Sequence, residues 1–413
     1  MAEATSFPSQ LGIVEARERI VEIAAKCTLA AERVGLDSAL GRILAVDVQA
    51  PADVPGFANS AMDGYALRGV DLPSSTEKPF ALGGAILAGG ALAPAVDIDT
   101  CVRITTGAVL PRGADTVVMK ENTRIDGERI MVAPGTAPGA NVRAAGEDFR
   151  RGELALRRGT RLAPAAVAVL AAFGMTHADV AARPRAVLLT TGDELTEPGT
   201  PLGFGGIYDS NRYSLGGLLE QHGASLLRHE RVRDVPAALQ TALLRAGDEA
   251  ELIVSSGGVS AGEADFLPRL IAEAGEVYFW KVRIKPGMPF LFGRVGKALV
   301  FALPGNPVSG IATFLTLLRP ALETISGCAP SAVLRARLRR ELHKHHARTE
   351  FQRALLDCDA HGTLWATPHD KQGSGMLRGV AEADALIMLP EDAHEFAVGT
   401  VVDALPLPGW PAG

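Results

Sequence analysis

Between residues 10 and 27 the apolar positions Ile13, Ala16, Ile20 and Ala24 recur at helical spacing, with Glu15, Arg17, Glu18 and Glu22 between them. That period predicts an amphipathic helix. From about Asp47 to Val142 the texture changes to short β-prone runs cut by Gly, Pro and Asp, as in ADVPGFANSAMDGYALRG and RITTGAVLPRGADTVVM, which predicts a β module. A continuous apolar run over 162–175 contains Pro164 and ends near Gly174. It is shorter than a membrane span requires and predicts a buried helix over about 163–173, closed by Gly174.

Beyond that point strands and helices alternate. RAVLLTT (185–191) leads to the helix NRYSLGGLLEQH, with Ser210 as its expected cap and Gly223 as its stop. ASLLRHERV leads to VPAALQTALLRA, where Pro236 suits a first turn, and ELIVSS leads to ADFLPRLIAEAG. VYFWKVRIK opens a hairpin, and KALVFALPGNP leads to VSGIATFLTLLRPALETI. Near-continuously apolar strands joined by helices predict a largely parallel, doubly wound sheet. After Pro330 the runs VLRARLRREL, FQRALLDC and DALIMLP predict a small β domain.

At 413 residues the chain is too long for one core and divides into two to four domains. A formal charge of −6 argues against nucleic acid as the main partner and leaves room for a local anion site. Cys27, Cys101, Cys328 and Cys358 form no CxxC pair, the start MAEATSFPSQ lacks a signal-peptide pattern, and no run spans a membrane. The expectation is a cytoplasmic protein.

The chemistry gathers where the strands end. In open α/β sheets ligands bind beyond the carboxyl ends of the strands. Those ends read TTGDELTEPG, RVRDVP, SSGGVSAGEADF, IKPGMPF and ALPGNPVSG, and collect Asp193, Glu194, Asp234, Glu263 and Asp265 beside Lys285. Glycines let backbone N–H groups approach a phosphate, and Mg²⁺ reconciles carboxylates with it. KVRIK, read as one strand, puts Lys281, Arg283 and Lys285 on one face, where neighbouring pairs repel by about 2 kcal/mol until an anion or solvent intervenes. An exposed edge strand guarded by cations is the plainer reading of that stretch. There is no GxxxxGK[ST], no strand-borne GxGxxG and no HExxH. Gly258 to Gly262 matches GxSxG, but Ser260 stands too far beyond its strand for a nucleophile elbow. His343, His345 and His346 read as a solvated loop, with metal binding the alternative.

Seven stretches in order, NSAMDGYAL, RITTGAVLPRGADTVVM, TTGDEL, DSNR, SGGVSAGEADF, IKPGMPF and LPGNPVSG, resemble the MoeA family of molybdopterin molybdenumtransferases, which is related to the E domain of gephyrin and to plant molybdenum insertases. The resemblance covers nearly the whole chain. It implies a multidomain α/β protein: a doubly wound, mostly parallel α/β domain of the molybdopterin-binding type (181–328), an inserted β module (48–144), an elongated helical domain (8–47 and 145–180) and a C-terminal β-barrel-like domain (329–413). The subunits would form an L-shaped homodimer whose cleft lies between the α/β domain of one and the β module of the other, with other cofactor-maturation proteins as further partners. The implied reaction takes adenylylated molybdopterin and molybdate, cleaves the adenylate with Mg²⁺ and inserts molybdenum into the dithiolene, releasing AMP. A gephyrin-like scaffold, or a serine or Mg²⁺-dependent hydrolase on the same domain, is the alternative.

Carried over by position, the resemblance implies catalytic roles for Asp63, Glu194, Asp234 and Asp265, with Asp234, Ser260 and Asp265 around the metal. Taken alone, Asp63-Gly64 is simply a hairpin turn. Substrate contacts would come from Thr106, Asp193, Ser210, Asn211, Ser256, Gly257, Gly258, Ser260, Lys281 and Lys285, and from Pro304, Gly305, Asn306 and Pro307. The molybdate cradle would be Lys285, Ser309, Arg353 and Ser374, with Arg348 the neighbouring arginine. One departure stands out: the family pattern reads KPGKP where this chain has Met288. The missing cation weakens oxyanion attraction by about 1–3 kcal/mol unless Arg283 or a residue of another chain replaces it. Met288→Lys would then lower the molybdate requirement.

Overall fold

The computed structural model describes residues 7–90, 95–259 and 266–410, and every count below refers to these. Four parallel strands, lying side by side in the order Ala298–Leu303, Leu252–Ser256, Arg185–Thr191 and Ser225–Val232, form the centre of a seven-stranded sheet. Both faces of these strands are covered, which explains their unbroken apolar runs. On one face Leu215, Leu218 and Leu219 of the helix Asn211–Gln221 pack with Phe314, Leu318 and Leu322. On the other, Leu239 and Leu243 of Pro236–Glu249 meet Leu267 and Ile271 of Leu267–Ala274. The hairpin Gly275–Val282 with Leu291–Val295 adds antiparallel strands, as its sequence predicts.

The N-terminal helix is Ile13–Ala24, and Ile13, Ala16, Ile20 and Ala24 are its buried residues, as the spacing requires. Its place differs from the expected grouping with 145–180. Ser9–Leu11 pairs in parallel with Gly275–Val282, and the helix buries its stripe in the core of the α/β sheet. The helix Pro164–Ala172 is also not the buried one expected. Only Leu170 is buried, because the alanines around it are too small to reach a second layer. That segment packs in a small separate cluster with Ala39, Leu44, Val48, Leu162, Ala178 and Val180.

The β module is a six-stranded sheet with Gly64–Leu67 between Thr116–Met119 and Thr100–Ile104. Asp63-Gly64 is not a hairpin turn, since Asn59–Ser60 before it pairs elsewhere, with Val142–Arg143. In the C-terminal domain five strands close on themselves through the pairing of Thr349–Cys358 with both Leu364–Pro368 and Ala385–Leu389. The apolar helical stretch Pro307–Ser326 is long enough to cross a membrane, yet it is buried in the core. All four cysteines are free thiols.

His222, which ends the helix Asn211–Gln221, is largely buried against the Phe314 ring at 5.6 Å. Burial, with Arg319 and Arg161 nearby, pushes its imidazole down to about 4. An unfolded chain takes up this proton near pH 6.5 and the native one does not. The neutral ring therefore contributes fully above pH 6.5, and stability falls as pH drops towards 4, by up to about 3 kcal/mol. Urea unfolding of His222→Gln at pH 7 and pH 4.5 is expected to show a smaller acid loss than the parent; an identical loss counts against this account.

Candidate functional site

From the strand Arg185–Thr191 the chain crosses to one side, to Ser225–Val232, and then returns to the other, to Leu252–Ser256. A crevice must open at that reversal, beyond the carboxyl ends. A cleft of about 720 Å³ occupies it. Its walls include Glu194, Ser210, Asn211, Asp234, Ser256, Gly257, Gly258, Lys285, Pro304, Gly305, Asn306, Pro307, Ser309 and Ser374, so most of the expected contacts are brought together. Ser260 and Asp265 lie outside the described residues.

The floor is held by a group that the sequence reading passed over. Asp209, 1% exposed, accepts from Thr190 Oγ1 at 2.7 Å, and the same hydroxyl lies 2.8 Å from His229 Nε2. Its other oxygen accepts from the Arg212 N–H at 3.0 Å. Asp209, not Ser210, thus caps the helix; Ser210 has helical backbone angles and makes no capping bond. Burial alone would raise the Asp209 carboxyl, but the bonds from His229, Thr190 and the Arg212 amide hold it below the usual range. The available signal was an aspartate at a helix start within the quoted DSNR. Asn211 donates to Ser256 Oγ at 2.7 Å and to the Gly305 carbonyl at 2.6 Å, tying three strand ends together. Among the described residues Asn211 Oδ1 and Thr191 Oγ1 are buried here without a partner, as expected of atoms that a ligand completes. Gly257 has φ +99° and its missing Cβ would sit 2.7 Å from the Thr191 carbonyl, so this turn admits no side chain.

The opposite wall comes from the C-terminal domain, and here the strand reading of KVRIK fails. Lys281 has φ +66°, which breaks the alternation of faces. The sheet strand ends at Val282, and Ile284–Lys285 joins the barrel instead, Lys285 standing opposite Glu350. The three cations therefore go to three places. Lys281 lies 4.1 Å from the Trp280 ring centroid and does not line the cleft. Arg283 binds Glu391 Oε1 at 2.7 Å and the Gln10 carbonyl at 2.7 Å. Lys285 Nζ is 3.1 Å from Glu350 Oε1.

Arg353, expected in the cradle, is 0% exposed and lies behind it. Its guanidinium donates to the carbonyls of Lys371 and Gly373, fixing the loop that presents Ser374. Asn306 Nδ2 reaches Ser374 Oγ at 3.1 Å, stitching the PGNP turn to that loop. Arg348, by contrast, lines the cleft, and its Nη1 touches Met288 Sδ at 3.9 Å. Gly287 has φ +110°, and a Cβ there would meet Thr313 Cγ2 at 2.5 Å. That pins the Met288 turn against the helix.

Asp193 is exposed and faces Arg233 at 4.0 Å, outside the cleft. Asp63 and Thr106 stand apart from their own chain's cleft as well. They form a prepared pair: Asp63 Oδ1 accepts from the Thr106 N–H at 2.8 Å and from its hydroxyl at 2.9 Å. These bonds hold the exposed carboxyl below its usual range.

Four carboxylates on the walls, Glu194, Asp209, Asp234 and Glu350, outnumber the two cations, Lys285 and Arg348. An anionic ligand entering such a cleft needs a cation brought with it. Mg²⁺ suits the donor set, since it takes one or two carboxylates and completes its shell with phosphate oxygens and water. No cage of three ligating side chains is gathered among the described residues, and Mg²⁺ does not require one.

Comparison with known proteins covers most of the chain. Residues 11–174 match the model described as MoeA N-terminal region (domain I and II), 187–324 the probable molybdopterin binding domain, and 335–407 the MoeA C-terminal region (domain IV). The molybdopterin molybdenumtransferase of Haemophilus influenzae is 34% identical over 383 residues, covering 91% of this chain and 93% of its own. Molybdopterin molybdenumtransferase 2 of Mycobacterium tuberculosis is 37% identical over 382 residues, covering 89% and 93%. The crystal structure of the molybdopterin biosynthesis MoeA protein from Pyrococcus horikoshii OT3 superposes with a TM-score of 0.84 at 28% identity, covering 97% of this chain and all of that one.

Proposed function

This chain belongs to the molybdopterin molybdenumtransferase (MoeA) family, a transferase of molybdenum cofactor biosynthesis, and on that premise we propose that its cleft binds adenylylated molybdopterin and molybdate, cleaves the adenylate and inserts molybdenum, releasing AMP. The observation that carries this reading is the cleft at the strand reversal, where glycine turns and unpartnered Thr191 Oγ1 and Asn211 Oδ1 meet an excess of carboxylates. Backbone amides of the 256–258 turn and the PGNP turn would hold phosphate and pterin edges. Asp234, with Asp265 and Ser260, would hold Mg²⁺, which when bound places charge on the phosphate oxygens. Glu194 lines the same cleft and would orient the attacking group. Ser309 and Ser374 line the same cleft and would donate to molybdate, a tetrahedral oxyanion that needs such donors.

The reading extends to a cytoplasmic homodimer. Asp63 and Thr106 are prearranged yet lie outside their own cleft, which fits a role in the partner's. The exposed alanine-rich faces of Pro164–Ala172 suit a surface that a second copy covers. The test is direct. Protein incubated with adenylylated molybdopterin, Mg²⁺ and molybdate is expected to release AMP and yield cofactor able to reconstitute an apo molybdoenzyme; absence of both products rejects the reading.

A further inference from the structure

We infer that His229 feeds protons to the floor of the cleft, its ring passing them through the Thr190 hydroxyl to Asp209, which hands them to the ligand. The inference rests on the function proposed above, because the reaction assigned there takes up protons. When the two thiolates of the dithiolene replace one oxygen of molybdate, two Mo–S bonds form and one Mo–O bond breaks. Molybdenum keeps its oxidation state, two protons are consumed, and the oxygen leaves as water. The cleft walls offer mainly carboxylates, which carry few protons at neutral pH.

Three groups stand in a row. Thr190 Oγ1 lies 2.7 Å from Asp209 Oδ2 and 2.8 Å from His229 Nε2. A hydroxyl has one proton to give. Asp209 is held as a carboxylate and only accepts, so the Thr190 proton points at Asp209 and the Thr190 oxygen accepts from the ring. His229 Nε2 therefore carries hydrogen. Moving each proton along by one hydrogen bond takes the Nε2 proton to Thr190 and the Thr190 proton to Asp209, with no heavy atom displaced. Imidazole suits this post, since it can take up a proton on one nitrogen while releasing one from the other. The row also leads from outside to inside. Ser225–Val232 is the edge strand of the seven-stranded sheet, and the His229 side chain is 9% exposed, so solvent can reload it. Leu188 is the register partner of His229, and Thr190, two residues on, shares its face of the sheet. Asp209, at the inner end, lines the cleft.

The surroundings agree. A buried carboxylate is ordinarily paired with a cation, yet among the described residues no arginine or lysine side chain pairs with Asp209, and His229 Nε2, 3.6 Å from Oδ2, is its one ionisable partner. The neighbouring arginines are committed elsewhere. The Arg212 guanidinium goes to Glu197, and that of Arg231 to the Leu195 carbonyl. Capping the helix needs only Oδ1, which accepts from the Arg212 N–H at 3.0 Å. The second oxygen is left to Thr190 and His229. A carboxylate kept below its usual range does not store the proton it receives but passes it on, and the cleft is the open side of Asp209.

The experiment separates the hydrogen bond from the proton. His229→Gln keeps an N–H donor for Thr190 Oγ1 but cannot exchange protons, and Thr190→Val keeps the shape and breaks the row. Full-length protein is loaded with adenylylated molybdopterin and Mg²⁺, and single-turnover cofactor formation is followed as molybdate is raised to saturation. Each variant is expected to slow the saturated rate by about 10- to 100-fold, while in His229→Gln the half-saturating molybdate concentration and pterin retention change by less than about twofold. Proton–nitrogen NMR of the unloaded parent is expected to show an imidazole Nε2–H signal that His229→Gln removes. A parent-like rate in His229→Gln overturns the relay and leaves the histidine as support for the helix cap. So does a His229 ring whose Nε2 bears no hydrogen. Loss of rate together with pterin retention in His229→Gln also overturns it, since that outcome reports a deformed cleft. Should Thr190→Val fold poorly, His229→Gln and the spectrum decide. A parent that forms no cofactor fails at the proposed function, whereas failure of the relay shows in the variants beside an active parent.

Discussion

Asp234→Asn is expected to slow AMP release by about 10²- to 10³-fold at a fixed, moderate Mg²⁺ concentration. Asp234 stands just beyond the strand Ser225–Val232, on the wall of a cleft already rich in carboxylates. The amide keeps the shape and removes the charge. A phosphate-bearing substrate approaching Glu194, Asp209 and Glu350 meets repulsion that a divalent ion relieves. Losing one ligand should therefore raise the Mg²⁺ concentration for half-maximal rate, and part of the lost rate should return at high Mg²⁺. A residue that merely shaped the loop would lower the rate without moving that concentration. Glu194→Gln serves as the contrast. If Glu194 orients the attacking group, its variant loses rate at every Mg²⁺ concentration, with the midpoint unmoved. An Asp234→Asn enzyme with the parent's rate and midpoint rules out the metal assignment.

How much of this site was legible in the sequence depends on what each residue's position rests on. The strands Arg185–Thr191 and Leu252–Ser256 declare themselves by apolar runs, and the turns that follow them declare themselves by glycine. Those turns line the cleft because a parallel sheet leaves them nowhere else to go. Local signals also suffice for Ile13–Ala24, whose buried stripe was read residue by residue. What they do not report is the partner of that stripe. The helix joins the α/β core because Ser9–Leu11 pairs with Gly275–Val282, a contact between chain positions far apart.

The same limit governs the C-terminal wall. Lys281, Arg283 and Lys285 alternate on paper, but the left-handed backbone at Lys281 and the departure of Ile284–Lys285 into the barrel separate them. Barrel closure likewise buries Arg353 and leaves Arg348 facing the cleft. In both cases the deciding contact is long-range, and a period-2 pattern carries no information about which sheet a residue will join. Asp209 is a different kind of miss. It was visible within DSNR, but the adjacent serine was the more conventional cap, and only the bond from the Arg212 N–H to Asp209 Oδ1 reveals which residue is used.

Mixed dimers provide the other large effect. Asp63→Ala and Asp234→Asn homodimers are each expected to be nearly inactive, yet co-refolded mixtures should recover activity. The reason lies in where Asp63 is held. Thr106 donates two hydrogen bonds to it and lowers its pKa, so the carboxylate is ionised and oriented, but its own cleft lies elsewhere. If each site combines the β module of one subunit with the α/β domain of the other, a mixed dimer contains one site with both aspartates and one with neither. Random pairing makes about half of the dimers mixed, so the mixture should regain about a quarter of the parental activity. Sites built within one chain predict no recovery at all, because every subunit then carries a lesion in its own cleft. The recovered fraction should also vanish when the two variants are mixed without unfolding, provided subunits exchange slowly. Activity that stays at the level of the separate variants after co-refolding removes the shared cleft. Activity near a quarter of the parent's places Asp63 in its neighbour's reaction, since two defective polypeptides can make a working site only by exchanging the parts each still has.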